Sequence, residues 1–154
     1  MTQRAISTSV ILCLSAVANA IDYNRLLPVV SHIESSDNPQ AVGDGTKARG
    51  LYQFHQEAWI QASKVRRLAG QRIYAYAYAH DPFVSRLYAE SYLGWLAKSL
   101  RSRLGREPHH WEVYASFNRG LAGFADLDYK FGNLPKHTQK SCRLIASTFN
   151  ENLK

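Results

Sequence analysis

The stretch Ile33-Glu34-Ser35-Ser36-Asp37-Asn38-Pro39-Gln40-Ala41-Val42-Gly43-Asp44-Gly45, continued after two residues by Ala48-Arg49-Gly50-Leu51-Tyr52-Gln53-Phe54, organises the chain. Just before it, Leu26, Leu27, Val30 and Ile33 recur at helical spacing behind Asp22, a good cap, so residues 23–35 read as a first helix. Pro28 lies inside that helix and is expected to kink or delay it. Asp37-Asn38-Pro39 stops the helix and Gly43-Asp44-Gly45 is a turn, so residues 36–50 read as a polar loop with room for a short hairpin. Glu34 therefore ends an apolar-faced helix at the edge of a loop. The negative end of the helix dipole disfavours an ionised carboxylate there. Partial burial does the same, and a carboxyl kept protonated near neutral pH suits a general acid.

Outward from this stretch the chain reads as helix after helix. Gln56–Leu68 is patterned as a helix with Trp59 and Ile60 inward, and Gly70 interrupts it. Tyr74-Ala75-Tyr76-Ala77-Tyr78-Ala79 alternates like a strand, but its alanine face suits a helix or turn equally. Asp81-Pro82 opens the clearest helix, as cap and first helical residue. Its expected buried side carries Val84, Leu87, Tyr88, Ser91, Trp95, Leu96 and Leu100. Lys98, Arg101 and Arg103 complement its dipole, and Gly105 caps its end. Pro108 starts a further helix to about Phe117, stopped by Gly120. Gly132 and Pro135 bracket a loop, and a last helix runs from about Lys136 to Asn150. The expected fold class is mainly α.

Composition narrows the function. The 154 residues fit one domain, and 19 Lys+Arg against 12 Asp+Glu give a formal charge of +7. Met1–Arg4 is a short positive start, residues 5–17 are mostly apolar or small, and Ala18-Asn19-Ala20 is a small-x-small cleavage site. Residues 1–20 thus read as a signal peptide, too short in apolar length for a comfortable membrane span. Cleavage leaves a domain of residues 21–154. It removes Arg4, lowering the charge from +7 to +6, and it removes Cys13, leaving Cys142 alone in an apolar-patterned segment as an inert buried thiol. The expected location is periplasmic or extracellular. Export argues against nucleic acid and makes an anionic wall polymer the better partner for the excess charge. No Ser/His/Asp arrangement, phosphate loop or zinc spacing occurs, and His109-His110 with Glu107 and Glu112 lacks a complete ligand set, so neither metal nor cofactor is expected.

Further downstream stands Tyr114-Ala115-Ser116-Phe117-Asn118-Arg119-Gly120. Together, Glu34-Ser35, Gly50-Leu51-Tyr52-Gln53 and Ser116-Phe117-Asn118 resemble, in order and spacing, the motifs of the lysozyme-like lytic transglycosylases, over roughly residues 22–146. The resemblance implies a lysozyme-like fold, α+β with minimal β, in which two helical lobes flank a cleft with Glu34 at its floor. It implies that Glu34 is the catalytic acid and that Ser35 contacts substrate or steadies the leaving group. It implies cleft roles for Tyr52 and Gln53, a close backbone approach at Gly50, an aromatic near the acid at Phe117, and a polar contact on the opposite wall at Asn118. Three features depart from the family. Phe117 replaces a usual Tyr, Ser141 stands where an aromatic often follows Thr138, and residues 64–80 match poorly, as a local insertion would.

The resemblance further implies peptidoglycan as substrate, one carboxyl acting as acid and then base at the MurNAc–GlcNAc bond, and a 1,6-anhydro product. A lysozyme-type hydrolase would need a second carboxylate. Asp37 and Asp44 are candidates that turn chemistry also explains, whereas Glu57 suits the start of a helix. A weakly active or inactive wall-binding protein is the third alternative. His32 and His55 flank the acid in sequence, and Tyr74, Tyr76 and Tyr78 suit either sugar stacking or packing. Small proteins of this type often open the wall for a secretion system or appendage, but no partner motif is present.

Overall fold

A computed structural model describes residues 20–153; the expected leader over residues 1–20 lies outside the described residues except for Ala20. Helix α1 spans Tyr23–Ser35, capped by Asp22, whose carboxylate accepts the Arg25 N–H at 3.2 Å. Leu26, Leu27 and Val30 are its buried stripe, and Pro28 is accommodated within it. Ser36 ends it in the left-handed conformation, with its N–H on the His32 carbonyl. The polar loop contains the hairpin: β1 (Val42–Gly43) pairs antiparallel with β2 (Ala48–Arg49), Val42 opposite Arg49 and Gly43 opposite Ala48.

Helix α2 spans Gln56–Leu68. Trp59, Ala62 and Arg66 form its buried stripe, whereas Ile60 is 47% exposed, contrary to the inward placement expected from sequence. Ile60 is one residue from Trp59 and so lies about 100° around the helix, outside a stripe that repeats every three to four residues. The Tyr-Ala stretch is neither strand nor α-helix. It ends in a 3₁₀ segment, Tyr76–His80, held by side chains of the surrounding core. Trp59 donates its indole N–H to the Tyr74 carbonyl at 3.0 Å, and Tyr76 donates its hydroxyl to the Phe54 carbonyl at 2.5 Å. Tyr74 and Tyr76 thus serve packing, and Tyr78 is half exposed.

Helix α3, Pro82–Leu104, is the central element, capped by Asp81 and Gly105. Of the expected buried side, Val84, Tyr88, Leu96 and Leu100 are buried, whereas Leu87, Ser91 and Trp95 are only partly so, and Ser85, Ala89, Tyr92, Leu93 and Ala97 are buried as well. The reason is tertiary, because α1, α2, the 3₁₀ segment and α4 all pack around it. A helix enclosed on several sides has no single polar face for a pattern to reveal. The Asp81 carboxylate accepts the Val84 N–H at 2.8 Å. Asp81→Ala is expected to cost about 1 kcal/mol in denaturant unfolding, with cleft residues unaffected.

Helix α4 spans His110–Arg119, α5 spans Leu121–Ala125, and α6 spans Lys136–Phe149 after a 3₁₀ turn at Phe131–Asn133. Helix α5 has no counterpart in the sequence reading; five residues carry too little periodicity to show, and buried Phe124 anchors it. Glu112, fully buried, returns its carboxylate to the His109 N–H at 2.7 Å and binds Arg106 through both oxygens, so it serves structure. His110 is also structural, bonded to the Asp22 N–H and to Glu151. Cys142 is buried, and burial pushes its thiol up to about 12, so thiolate chemistry is suppressed. The fold is mainly α with a minimal sheet, as expected of a lysozyme-like chain. The cavity beside the end of α1 is lined by the hairpin and the turn after it on one side, and by the end of α4 and the start of α6 on the other.

Candidate active site

Glu34 is the penultimate residue of α1, and its loop side is fixed from behind. The Asp37 carboxylate folds back onto the Ser31 hydroxyl at 2.7 Å and the His32 ring at 3.0 Å. The Ser35 hydroxyl lies 2.9 Å from the Leu51 carbonyl and 3.1 Å from that of Ser31, tying α1 to the Gly50–Gln53 turn. Ser35 and Asp37 thus set the path of the chain around Glu34, and neither lines the cavity containing it.

That cavity, about 450 Å³, is lined by Glu34, the hairpin residues Asp44 and Ala48, then Gln53, His55, Phe117, Asn118, Arg119 and His137. A second cavity of about 300 Å³ shares the wall from Gln53 to Arg119 and extends toward Glu57 and Tyr92. Phe117 packs edge-on against Phe54 with ring centroids 5.8 Å apart, so its ring forms part of the shared wall without a polar atom. Gln53 adopts a positive φ of 46° and donates its amide to the Gly50 carbonyl at 3.0 Å.

Besides Ser35, two expected residues sit elsewhere. Tyr52 is 3% exposed and belongs to the core, outside the cavity lining. The backbone of Gly50 closely approaches the Ala79 carbonyl on the 3₁₀ segment, where a Cβ would overlap it. Its φ of +74° also favours glycine. The poorly matching segment is thus the surface against which the Gly50 turn is seated.

The Glu34 carboxylate is held from the opposite wall. Tyr114 donates its hydroxyl to Oε1 at 2.9 Å across 80 residues of sequence. Asn118 lines the same cavity, and its side chain also favours the ionised form of the acid. The Asn118 Oδ1 accepts from the Thr138 hydroxyl at 2.9 Å, which leaves its NH₂ to face the acid. Burial raises the proton affinity of Glu34, and the Tyr114 hydroxyl and the nearby Asn118 side chain partly offset that rise. The net shift is upward, toward an acid protonated closer to neutrality. Burial and the charge of Glu34 push the Tyr114 phenol far above its ordinary range, so it remains a donor.

Among the described residues, no three His, Cys, Asp or Glu side chains cluster as a metal site, and no helix is long and apolar enough to cross a membrane. The cavity offers proton transfer at Glu34, with Asp44 as a second carboxyl on its wall. The family model of the transglycosylase SLT domain matches residues 15–138, most of the chain. The chain belongs to this family. A comparison with curated proteins returns no match. As an SLT domain, it is a peptidoglycan-acting protein of the lytic transglycosylase type.

The residue of this SLT domain that sequence reasoning missed is Tyr114. The substitution of Phe117 suggested that the acid had lost a hydroxyl partner, yet Tyr114 supplies one. A signal was present: Tyr114, Phe117 and Asn118 stand at i, i+3 and i+4 and so share one helix face. Ser141, with a small side chain where the resemblance implied an aromatic, donates its hydroxyl to the His137 carbonyl at 3.4 Å. Asp44, which the sequence offers both as a turn residue and as a second carboxylate facing the cleft, lines the cavity of Glu34 and pairs with His55 at 3.3 Å. His32 faces away with Asp37.

Tyr114→Phe removes a bond that favours ionised Glu34 and so raises the Glu34 pKa further. The alkaline limb of the pH–rate profile is expected to move to higher pH. Since Tyr114 is 1% exposed and meets no substrate, KM is expected to hold while kcat falls about tenfold, the order of a hydrogen bond to a charge. An unmoved profile would show that the phenol does not tune the acid.

Proposed function

We propose that this SLT domain cleaves the β-1,4 bond between MurNAc and GlcNAc lytically, with Glu34 as acid and then base. The observation that carries this reading is a carboxyl of raised proton affinity at the cleft wall, held by the Tyr114 hydroxyl. Protonated Glu34 gives its proton to the bridging oxygen as the bond to C1 breaks. The carboxylate, stabilised by the Tyr114 hydroxyl, then takes the proton of the C6 hydroxyl of the same MurNAc. The C6 oxygen bonds C1 and leaves a 1,6-anhydro end. The nucleophile belongs to the substrate, so no second carboxylate has to position water, and intramolecular attack benefits from a high effective molarity.

The pattern of residues 1–20 and the basic composition support export to the periplasm or outside, where the wall lies. Mass spectrometry of fragments released from purified sacculi tests the chemistry. The anhydro end is one water lighter than a reducing end, and fragments that are all reducing would overturn the lytic mechanism. One observation favours a second reading, hydrolysis: Asp44 lines the same cavity and has His55 as partner. The same spectra decide between them, and Asp44→Asn would then abolish the reducing product.

A further inference from the structure

The cleft contains a cation that the proposed chemistry does not use. Arg119 ends α4 and lines both the cavity of Glu34 and the adjoining one, in the wall the two share. It is exposed, and among the described residues it enters no ion pair. The other charges on this wall have roles. Glu34 is bonded by Tyr114, and Asp44 pairs with His55. Glu57 opens α2, where it complements the helix dipole, and it makes no ion pair with Arg119. The dipole at the end of α4 accounts for a basic residue at position 119. It does not account for a guanidinium uncommitted between two cavities that also hold an aromatic ring and two amides.

A free guanidinium fork matches a carboxylate in two parallel hydrogen bonds, which an ammonium cannot reproduce. In a glycan of alternating GlcNAc and MurNAc, the sugar hydroxyls and acetamides are neutral. Carboxylates occur only on the muramyl side, either on a free 3-O-lactyl group or on the peptide attached through it. Because Arg119 stands in the wall shared with the second cavity, it meets the glycan beside the reacting bond.

We propose that Arg119 is a specificity-determining residue that selects glycan bearing a muramyl-side carboxylate. The inference rests on the reading of this cleft as the glycan site, and it is tested by binding, separately from cleavage. In a Glu34→Gln background, affinities are measured for soluble peptidoglycan strands with peptides, for strands stripped of peptide, and for chitohexaose, which has no carboxylate. Adding Arg119→Gln is expected to weaken binding to carboxylated strands about tenfold and to leave chitohexaose unchanged, with Arg119→Lys between the two. Lys98→Gln, remote from the cleft, is expected to change nothing, separating recognition from overall charge. Weakening only on the stripped strands identifies the free lactyl carboxylate, weakening only on the intact strands identifies a peptide carboxylate, and weakening on both shows that Arg119 accepts either. Equal loss on chitohexaose, no loss on any substrate, or no binding to carboxylated strands overturns the proposal. Failure of the wild-type protein to release fragments from sacculi overturns the lytic reading instead.

Discussion

Glu34→Gln is expected to lower kcat for release of anhydro fragments by about 10³-fold or more, at the upper part of the range for general acid–base catalysis. The size follows from the double use of one group. Gln can neither protonate the bridging oxygen nor accept the C6 proton, and among the described residues no other carboxylate is bonded by Tyr114. Binding of glycan is expected to survive, since the amide keeps the shape of the acid. Turnover by the variant within tenfold of the wild type would remove Glu34 from the chemistry.

The same substitution has a stability sign that guards against a trivial explanation. The folded-state pKa of Glu34 is raised by burial. The folded protein therefore holds the proton more tightly than the unfolded chain does, and stability falls as pH rises from the unfolded pKa through the folded one. Gln carries no such penalty. The variant is expected to melt at or above the wild-type temperature at neutral pH, with the difference shrinking in acid. A variant that is inactive and less stable at neutral pH would point to damage of the fold.

Gly50→Ala carries the largest expected effect on stability. Two costs coincide at this residue: a φ of +74°, and the Ala79 carbonyl lying where a Cβ would go. That obstacle is backbone, so relief requires the Gly50 turn and the 3₁₀ segment to separate. They are held together by Tyr76, whose hydroxyl lies between the Phe54 and Lys47 carbonyls. The expected loss is about 4 kcal/mol or more in denaturant unfolding, in the class of overpacking combined with backbone strain. Gly45→Ala is the matched control. Gly45 has a φ of +60° and nothing near the Cβ position, so its loss is expected to be about 1 kcal/mol, from backbone strain alone. Equal losses at the two sites would show that the close approach to Ala79 contributes nothing.

The contrast between Gly50 and Glu34 shows how far the motifs themselves reach. Both belong to motifs that the sequence presents in order. The place of Glu34 at the end of a capped helix is a local matter, readable from Asp22, the apolar stripe of Leu26, Leu27 and Val30, and the Asp37-Asn38-Pro39 stop. The requirement for glycine at position 50 is set by a segment nearly thirty residues downstream, whose own pattern suggested an insertion. A motif records that a residue type is needed, and its contact partner supplies the reason.

The sequence by itself determined the elements whose ends are encoded locally. The limits of α1, α2 and α6, and the Asp81-Pro82 start and Gly105 end of α3, follow from caps, breakers and helical spacing within a few residues. It also determined the mainly helical class and, through three ordered motifs, the family. Only the tertiary structure decided which faces meet. It enclosed α3 on several sides, turned Ile60 outward, moved Tyr52 into the core, brought Tyr114 to Glu34, and set Asp44 and Arg119 on the wall of the cleft. Caps and periodicity act over one or two turns of helix. The proton affinity of Glu34 depends on burial and on hydrogen bonds from a helix far along the chain, and those arise only when the helices pack.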